Sequence, residues 1–176
     1  MILLNTVWNL SSAISFARAD DPKIVRDLLG QAVEWMLATP PNQSLWPLDQ
    51  IELDVVTQEL DSYYLGRIQN RPVVTFMLNH SDELYWPDTS DSAIYIHRIA
   101  VARQAAATTT GASVLPDLFN FVADVCRQSG KALLRLDCDK TRPALARVYE
   151  RCGFVYHSDI ELPNYLGARY ERCFDE

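Results

Sequence analysis

The chain reads as an α+β protein: an α/β/α sandwich around one mixed, mostly antiparallel sheet of about seven strands. Three observations predict it. Short β-branched and aromatic runs alternate with amphipathic stretches from residue 15 onward. Two of those runs, Tyr63 to Ile68 and Val73 to Leu78, are separated only by Gln69-Asn70-Arg71-Pro72 and so read as a hairpin. The stretch from Tyr95 to Phe154 then runs strand, small-residue loop, helix, strand, helix. Its crossover from Val101 to Leu133 makes the two flanking strands parallel.

Each element has its own signal. Ser15 to Ala19 is a first strand. Asp21-Pro22 supplies a cap and a proline at the first helical position. Val25, Leu28, Leu29, Ala32, Val33 and Met36 recur at helical spacing to about Leu37. Thr39-Pro40-Pro41-Asn42 ends that helix. A second helix is expected over Leu48 to Leu60, with Ile51, Val55 and Val56 turned inward. After the hairpin comes a polar, aromatic loop, Asn79 to Asp91, containing Tyr85, Trp86 and Pro87. Ile94 to Val101 is apolar enough to be a strand buried on both faces.

The long helix presents Leu115, Leu118, Phe119, Val122, Val125 and Cys126 on one stripe and stops at Gly130. Pro116 removes a backbone donor, which predicts a late start or a bend where the helix begins near Gly111. Leu133 to Cys138 is a strand. Leu145, Val148, Tyr149 and Cys152 line one side of a last helix, closed by Gly153. Phe154 to His157 and Leu166 to Cys173 are final strands around a loop over 158–165.

The 176 residues suit a single domain over 1–176, with no repeat or low-complexity linker. A net charge of −7 repels nucleic-acid backbones, so no nucleic-acid partner is expected. The same acidity suits a cationic amine, and equally serves solubility. The four cysteines form no CxxC pair and the three histidines are scattered, so no metal is expected. Cys126, Cys138 and Cys152 fall in apolar patterns as buried thiols. MILLNTVWNL lacks a basic flank and is too short for a signal peptide or a span, which predicts a cytoplasmic protein without a membrane partner.

Two motifs carry chemistry. After the strand ending at Val101, Ala106-Ala107-Thr108-Thr109-Thr110-Gly111 leads into a helix start, where backbone N–H groups can hold a phosphate. Arg142-Pro143-Ala144-Leu145-Ala146-Arg147-Val148-Tyr149-Glu150-Arg151-Cys152-Gly153-Phe154 returns Tyr149 to the same place. Together they resemble the acetyl-CoA-binding core of the GNAT superfamily of N-acetyltransferases. In that family a Gln/Arg-x-x-Gly-x-Gly/Ala loop wraps the pyrophosphate. Here Gly111 keeps its place, Ala106 stands where a cation or amide is usual, and Thr109 occupies a glycine position. Glu34-Trp35-Met36, Trp46-Pro47, Tyr85-Trp86 and Leu134-Arg135-Leu136-Asp137-Cys138 look like one bacterial subgroup, which extends the resemblance from Ser15 to Phe174.

The resemblance implies a GNAT-like acyl-CoA acyltransferase fold whose fourth strand, Tyr95 to Val101, splays from the next. It implies acetyl-CoA as cosubstrate, lying along Ile99, Ala100 and Val101 and held by Ala106, Thr108, Thr109, Thr110, Gly111, Ala112 and Arg142. Arg142 stands at the usual asparagine and is assigned a cofactor phosphate or carbonyl. The threonine hydroxyls are additional phosphate donors. Tyr149 aligns with the acid that protonates the leaving thiolate. For the base, His97 suits proton removal with an ordinary pKa of about 6.5, and Asp137 and Asp139 stand in reserve. Trp35, Trp46, Tyr85, Trp86 and Tyr165 are candidates to frame an acceptor pocket, or to pack as core and lid. The implied reaction is direct acetyl transfer to a primary amine of a small molecule, and a homodimer is a further implication. The altered phosphate loop leaves a second reading open: a GNAT-fold binding or regulatory module with weak or lost acetyl-CoA binding.

Overall fold

The computed structural model describes residues 14–88, 90–106 and 109–174. Seven strands form one sheet: β1 (Ser15–Arg18), β2 (Tyr63–Ile68), β3 (Arg71–Asn79), β4 (Ala93–Val101), β5 (Leu133–Asp139), β6 (Val155–Leu162) and β7 (Tyr165–Cys173). Their order is β1-β2-β3-β4-β5-β7-β6, and every neighbouring pair is antiparallel except β4 with β5. That is the expected α+β sandwich with one parallel pair.

Helix α1 (Pro22–Ala38) starts as its sequence dictates. The Asp21 carboxylate accepts from the Lys23 N–H at 2.8 Å, and Pro22 fills a position whose missing N–H costs nothing. Its inward stripe of Val25, Leu28, Leu29, Val33 and Met36 packs on Tyr63, Leu65, Met77 and Ala100 of the sheet. On the opposite face, α4 (Thr109–Gln128) and α5 (Pro143–Arg151) cover Phe76, Ile94, Ile96, Leu134, Leu136 and Cys138. Strand β4 therefore has apolar residues buried against both layers. A short helix, α3 (Arg103–Ala106), joins β4 to the long crossover. Among the described residues, no helix is long and apolar enough to cross a membrane.

The structure departs from the sequence expectations at four places. The helix expected over 48–60 is broken into a 3₁₀ turn at Leu48–Ile51, a helix α2 (Leu53–Gln58) and a second 3₁₀ turn at Leu60–Ser62. Glu52 is extended between the first two, and the Asp54 carboxylate takes its neighbour's N–H at 2.9 Å, as short acidic side chains do at helix starts. The hairpin turn is only Gln69-Asn70, both with positive φ (49° and 64°), so Arg71 and Pro72 belong to β3.

Pro116 lies inside α4, and the chain is already helical at Thr109, so the helix does not start late. Val114, Leu118, Phe119 and Val122 on either side of the proline are completely buried, and this anchoring offsets the lost backbone bond. Finally, the expected loop over 158–165 is mostly strand. β6 and β7 meet through Pro163-Asn164, and β6 is an edge strand whose polar side chains face water. The pairing is close. A Cβ at Gly167 would stand 2.5 Å from the Tyr165 ring and 2.9 Å from Ile160.

Candidate active site

The site begins with a gap in the sheet. β4 and β5 pair only through Ala93–Leu133, Ile94–Leu134 and Tyr95–Arg135. Beyond them β4 stays on β3 as far as Val101, while β5 stays on β7 as far as Asp139. A bulge in β4 falls where the strands separate. Met77 faces His97 and Thr75 faces Ala100, so β4 carries one more residue than β3 across this step. The extra residue is Arg98, with φ of 51°. A non-glycine residue there carries strain on the order of 1–3 kcal/mol. The Arg98 guanidinium offsets it, donating to Glu59 at 2.8 Å and to the Tyr63 hydroxyl at 2.6 Å. Ile99, Ala100 and Val101 thus lie on an edge of β4 that has no β5 partner.

A polar cluster stands beside this split. Asp82 comes from the loop after β3, His97 from β4 and Asp137 from β5, and one polar atom of each lies within 4.8 Å of the others. His97 Nε2 is 3.5 Å from Asp82 Oδ2. The Tyr165 hydroxyl donates to Asp137 Oδ2, and the Tyr85 ring meets Tyr165 edge-on at 5.6 Å. Asp82 Oδ1 accepts the Tyr85 N–H at 3.4 Å, but Oδ2 is buried without a hydrogen-bond partner. Sequence reasoning did not find Asp82. It is one acid in a polar loop, and only the fold carries it to His97 and Asp137.

Burial governs the electrostatics. It pulls His97 down to about 4, assisted by the Arg98 charge, so the imidazole is neutral at neutral pH. Burial pushes Asp137 up to about 6; the Tyr165 hydrogen bond opposes that shift and the Asp82 charge adds to it. Asp82 is raised as well, again by burial. Two carboxylates in one dry place disfavour double ionisation.

Tyr149 projects from α5 on the other side of the sheet. Its ring packs at 6.1 Å from both Phe119 and Phe154 and at 6.4 Å from Tyr170. Burial raises its pKa strongly, and the neighbouring Cys138 and Asp137 on β5 raise it further, so the phenol keeps its proton. A protonated phenol and a carboxylate of raised pKa therefore flank opposite faces of one split strand pair.

Other expected site residues have different partners. Arg142, assigned to a cofactor phosphate, is an internal tie: it donates to the Gln43 carbonyl at 2.9 Å and stands 3.6 Å from Asp139. Asp139, a reserve base, receives the Thr141 N–H at 2.8 Å and hydroxyl at 2.7 Å, which shapes the turn before α5. Trp86 is fully buried between the guanidinium groups of Arg135 (4.5 Å) and Arg169 (5.0 Å). Trp46 packs with the α1 core. Of the five aromatic candidates, Tyr85 and Tyr165 are the two that meet at the cluster. In the expected phosphate loop the described residues are helical: Ala106 lies in α3, and Thr109, Thr110, Gly111 and Ala112 lie in α4, with residues 107–108 between them outside the described residues. Thr108 lies outside the described residues, as do the side chains of Ala106, Thr109, Thr110 and Ala112.

No protein-family model matches the chain. Over 144 residues it is 25% identical to the uncharacterised N-acetyltransferase YesJ of Bacillus subtilis (strain 168), covering 78% of each protein. A GNAT-family acetyltransferase structure from Listeria monocytogenes 4b F2365 superposes with a TM-score of 0.72 at 17% identity, covering 96% of this chain and 99% of that one. Aminoglycoside acetyltransferase AAC(6')-Ib, solved with coenzyme A and kanamycin, superposes with a TM-score of 0.65 at 13% identity, covering 92% and 95%. The seven-stranded sheet split between β4 and β5 defines the architecture of the acyl-CoA acyltransferases. The chain has the fold of the GNAT acetyltransferases and is similar in sequence to one uncharacterised N-acetyltransferase.

Proposed function

We propose that the protein is an N-acetyltransferase that passes the acetyl group of acetyl-CoA directly to a primary amine of a small molecule. The observation that carries this reading is the β4–β5 split, with the Asp137 carboxylate on one face and the protonated Tyr149 phenol on the other. AAC(6')-Ib, of the same fold, is solved with coenzyme A and kanamycin, which supports both a CoA thioester and a small-molecule acceptor.

The steps follow from these groups. The thioester lies along the free edge of β4, where a backbone N–H near Ile99 or Val101 polarises its carbonyl. Backbone N–H groups of the segment that includes Ala106, Thr109, Thr110, Gly111 and Ala112 hold the diphosphate. Asp137 takes a proton from the acceptor's ammonium. The freed amine attacks the carbonyl carbon, the C–N bond forms, the C–S bond breaks, the nitrogen loses its second proton to solvent, and Asp137 then releases its own proton to solvent. The departing thiolate takes the Tyr149 proton, and solvent reprotonates the phenolate. His97, the base that the sequence suggests, is assigned a supporting role. With a pKa near 4 its imidazole takes up protons far less readily than Asp137.

Thermal-shift titration with CoA, followed by a thiol-release assay with acetyl-CoA and an amine, tests this. A ligand at 100 times its Kd adds about 2.7 kcal/mol of stability. A shift with CoA and amine-dependent thiol release is the expected result. No shift with millimolar CoA favours the binding-module reading instead.

A further inference from the structure

We propose that Asp82, His97 and Asp137 form a cradle for the primary ammonium group of the acceptor, and that the protein therefore selects unhindered alkylamines with no carboxylate near the nitrogen. This deepens the acetyl-transfer reading and depends on it for the fate of the bound amine. The cradle itself stands on four observations.

First, three polar atoms from three separate elements converge within 4.8 Å, matching in number the three N–H donors of an ammonium. Second, the Asp82 side chain is only 9% exposed, yet its Oδ2 has no hydrogen-bond partner. A buried carboxylate oxygen in that condition calls for a cation. Third, the nearby arginines are engaged by other groups. Arg98 donates to Glu59 and Tyr63, and Arg169 donates to Asp88 at 2.9 Å and to Ser158 at 2.9 Å. The neutral His97 adds no positive charge. Fourth, the Tyr85 and Tyr165 rings stand beside the two carboxylates, and aromatic rings suit an organic cation carrying an apolar chain.

A divalent metal would also satisfy such a set. Position decides between them: the cluster joins β4 and β5 at the split, where an acceptor nitrogen has to meet a thioester. Asp137 already shares one oxygen with the Tyr165 hydroxyl, which orients it as an acceptor of a donated hydrogen. A carboxylate on the substrate beside its amine would bring a further negative charge up to the Asp82–Asp137 pair, which already disfavours double ionisation, and this is the basis of the predicted selectivity.

The test compares propylamine, 1,3-diaminopropane and β-alanine as acceptors for the full-length protein and its Asp82→Asn variant. Asparagine keeps the Oδ1 acceptor for the Tyr85 N–H, and an unchanged CoA thermal shift certifies the fold. The expected result is a kcat/KM for β-alanine at least about tenfold below that for propylamine, and a KM for propylamine at least about tenfold higher in Asp82→Asn. An unchanged KM in the variant, or β-alanine used as well as propylamine, overturns the cradle. So does stabilisation of the wild type, but not the variant, by micromolar zinc or manganese, since the cluster would then be a metal site. If neither CoA binding nor acetylation is seen, the acetyl-transfer reading fails on its own. Calorimetric titration of propylamine then tests the cradle alone. Binding lost in Asp82→Asn supports it, and equal or absent binding in both proteins overturns it.

Discussion

Tyr165, the first residue of β7, donates its hydroxyl hydrogen to the carboxylate of Asp137 on the neighbouring strand β5. This bond lowers the Asp137 pKa against a larger opposing effect from burial, and the balance leaves the group at about 6. A base must be deprotonated to act, so kcat/KM should fall as pH drops through that value. Tyr165→Phe removes the opposing bond and should move the acid limb to higher pH. A pH–rate profile that is flat between pH 5 and 8 would remove Asp137 from the role of base.

The same carboxylate should weaken the fold at neutral pH. Its folded pKa of about 6 exceeds the ordinary value of 3.8, so the folded protein prefers the protonated form. The contribution is fully present below the unfolded pKa and is lost as pH rises through the folded one. A gap of this size amounts to about 3 kcal/mol at pH 7. Asp137→Asn should therefore stabilise the protein at pH 7 by up to that amount, with the difference shrinking as pH falls toward 4. His97 works in the other direction, since its depressed pKa removes stability as pH falls from 6.5 to about 4. Urea unfolding of wild type and Asp137→Asn at both ends of the range separates the two contributions.

Tyr149→Phe keeps the ring that packs on Phe119, Phe154 and Tyr170 and deletes only the hydroxyl. Turnover should fall by about 10²-fold, the usual scale of a lost general acid, while the CoA thermal shift stays the same. Unchanged turnover would return Tyr149 to plain packing.

The sequence revealed the strands of the Tyr95–Phe154 segment because burial there leaves an apolar pattern that polar edges do not. The second half of β6 went unread for that reason: Asp159 and Glu161 face water along a sheet edge, and with Ser158 their composition is that of a loop. Tyr149 was legible because a helix with Leu145 and Cys152 on one side fixes where its ring must go. Asp82 was not, since its meaning depends on a contact with residues 15 and 55 positions further along the chain (97 − 82 and 137 − 82). Arg142 was placed at the cofactor by analogy with the family's asparagine, whereas its longer side chain reaches the carbonyls of Met36, near the end of α1, and Gln43, beyond it.

That reach makes Arg142 a stability residue. It is 6% exposed and donates to the carbonyls of Gln43 and Met36 at 2.9 and 3.5 Å, with the Trp35 ring 5.6 Å from its guanidinium carbon. Arg142→Ala would strand those carbonyls and the Asp139 charge, and breaking a buried pair from one side costs about 3–5 kcal/mol. Urea unfolding should show a loss of that order. CoA affinity should change little at temperatures where the variant is folded; a large loss of affinity with unchanged stability would restore the cofactor role.

The bulge at Arg98 offers a test of how the split arises. Ile96 and Ile99 join the core under α4, whereas His97, opposite Met77, and Ala100 belong to the α1 face. Removing Arg98 alone leaves that inside–outside alternation intact, because the deleted residue is the one that breaks it. The deletion also relieves a positive φ, but forfeits the bonds to Glu59 and Tyr63. A protein lacking residue 98 should therefore fold, with a near-native circular dichroism spectrum and a modest change in melting temperature. Its β4 should then run flat beside β5 and extend the parallel pairing beyond Tyr95, closing the edge on which Ile99 and Val101 lie. The CoA thermal shift should disappear. Retention of that shift in a folded deletion variant would show that something other than the bulge holds the strands apart.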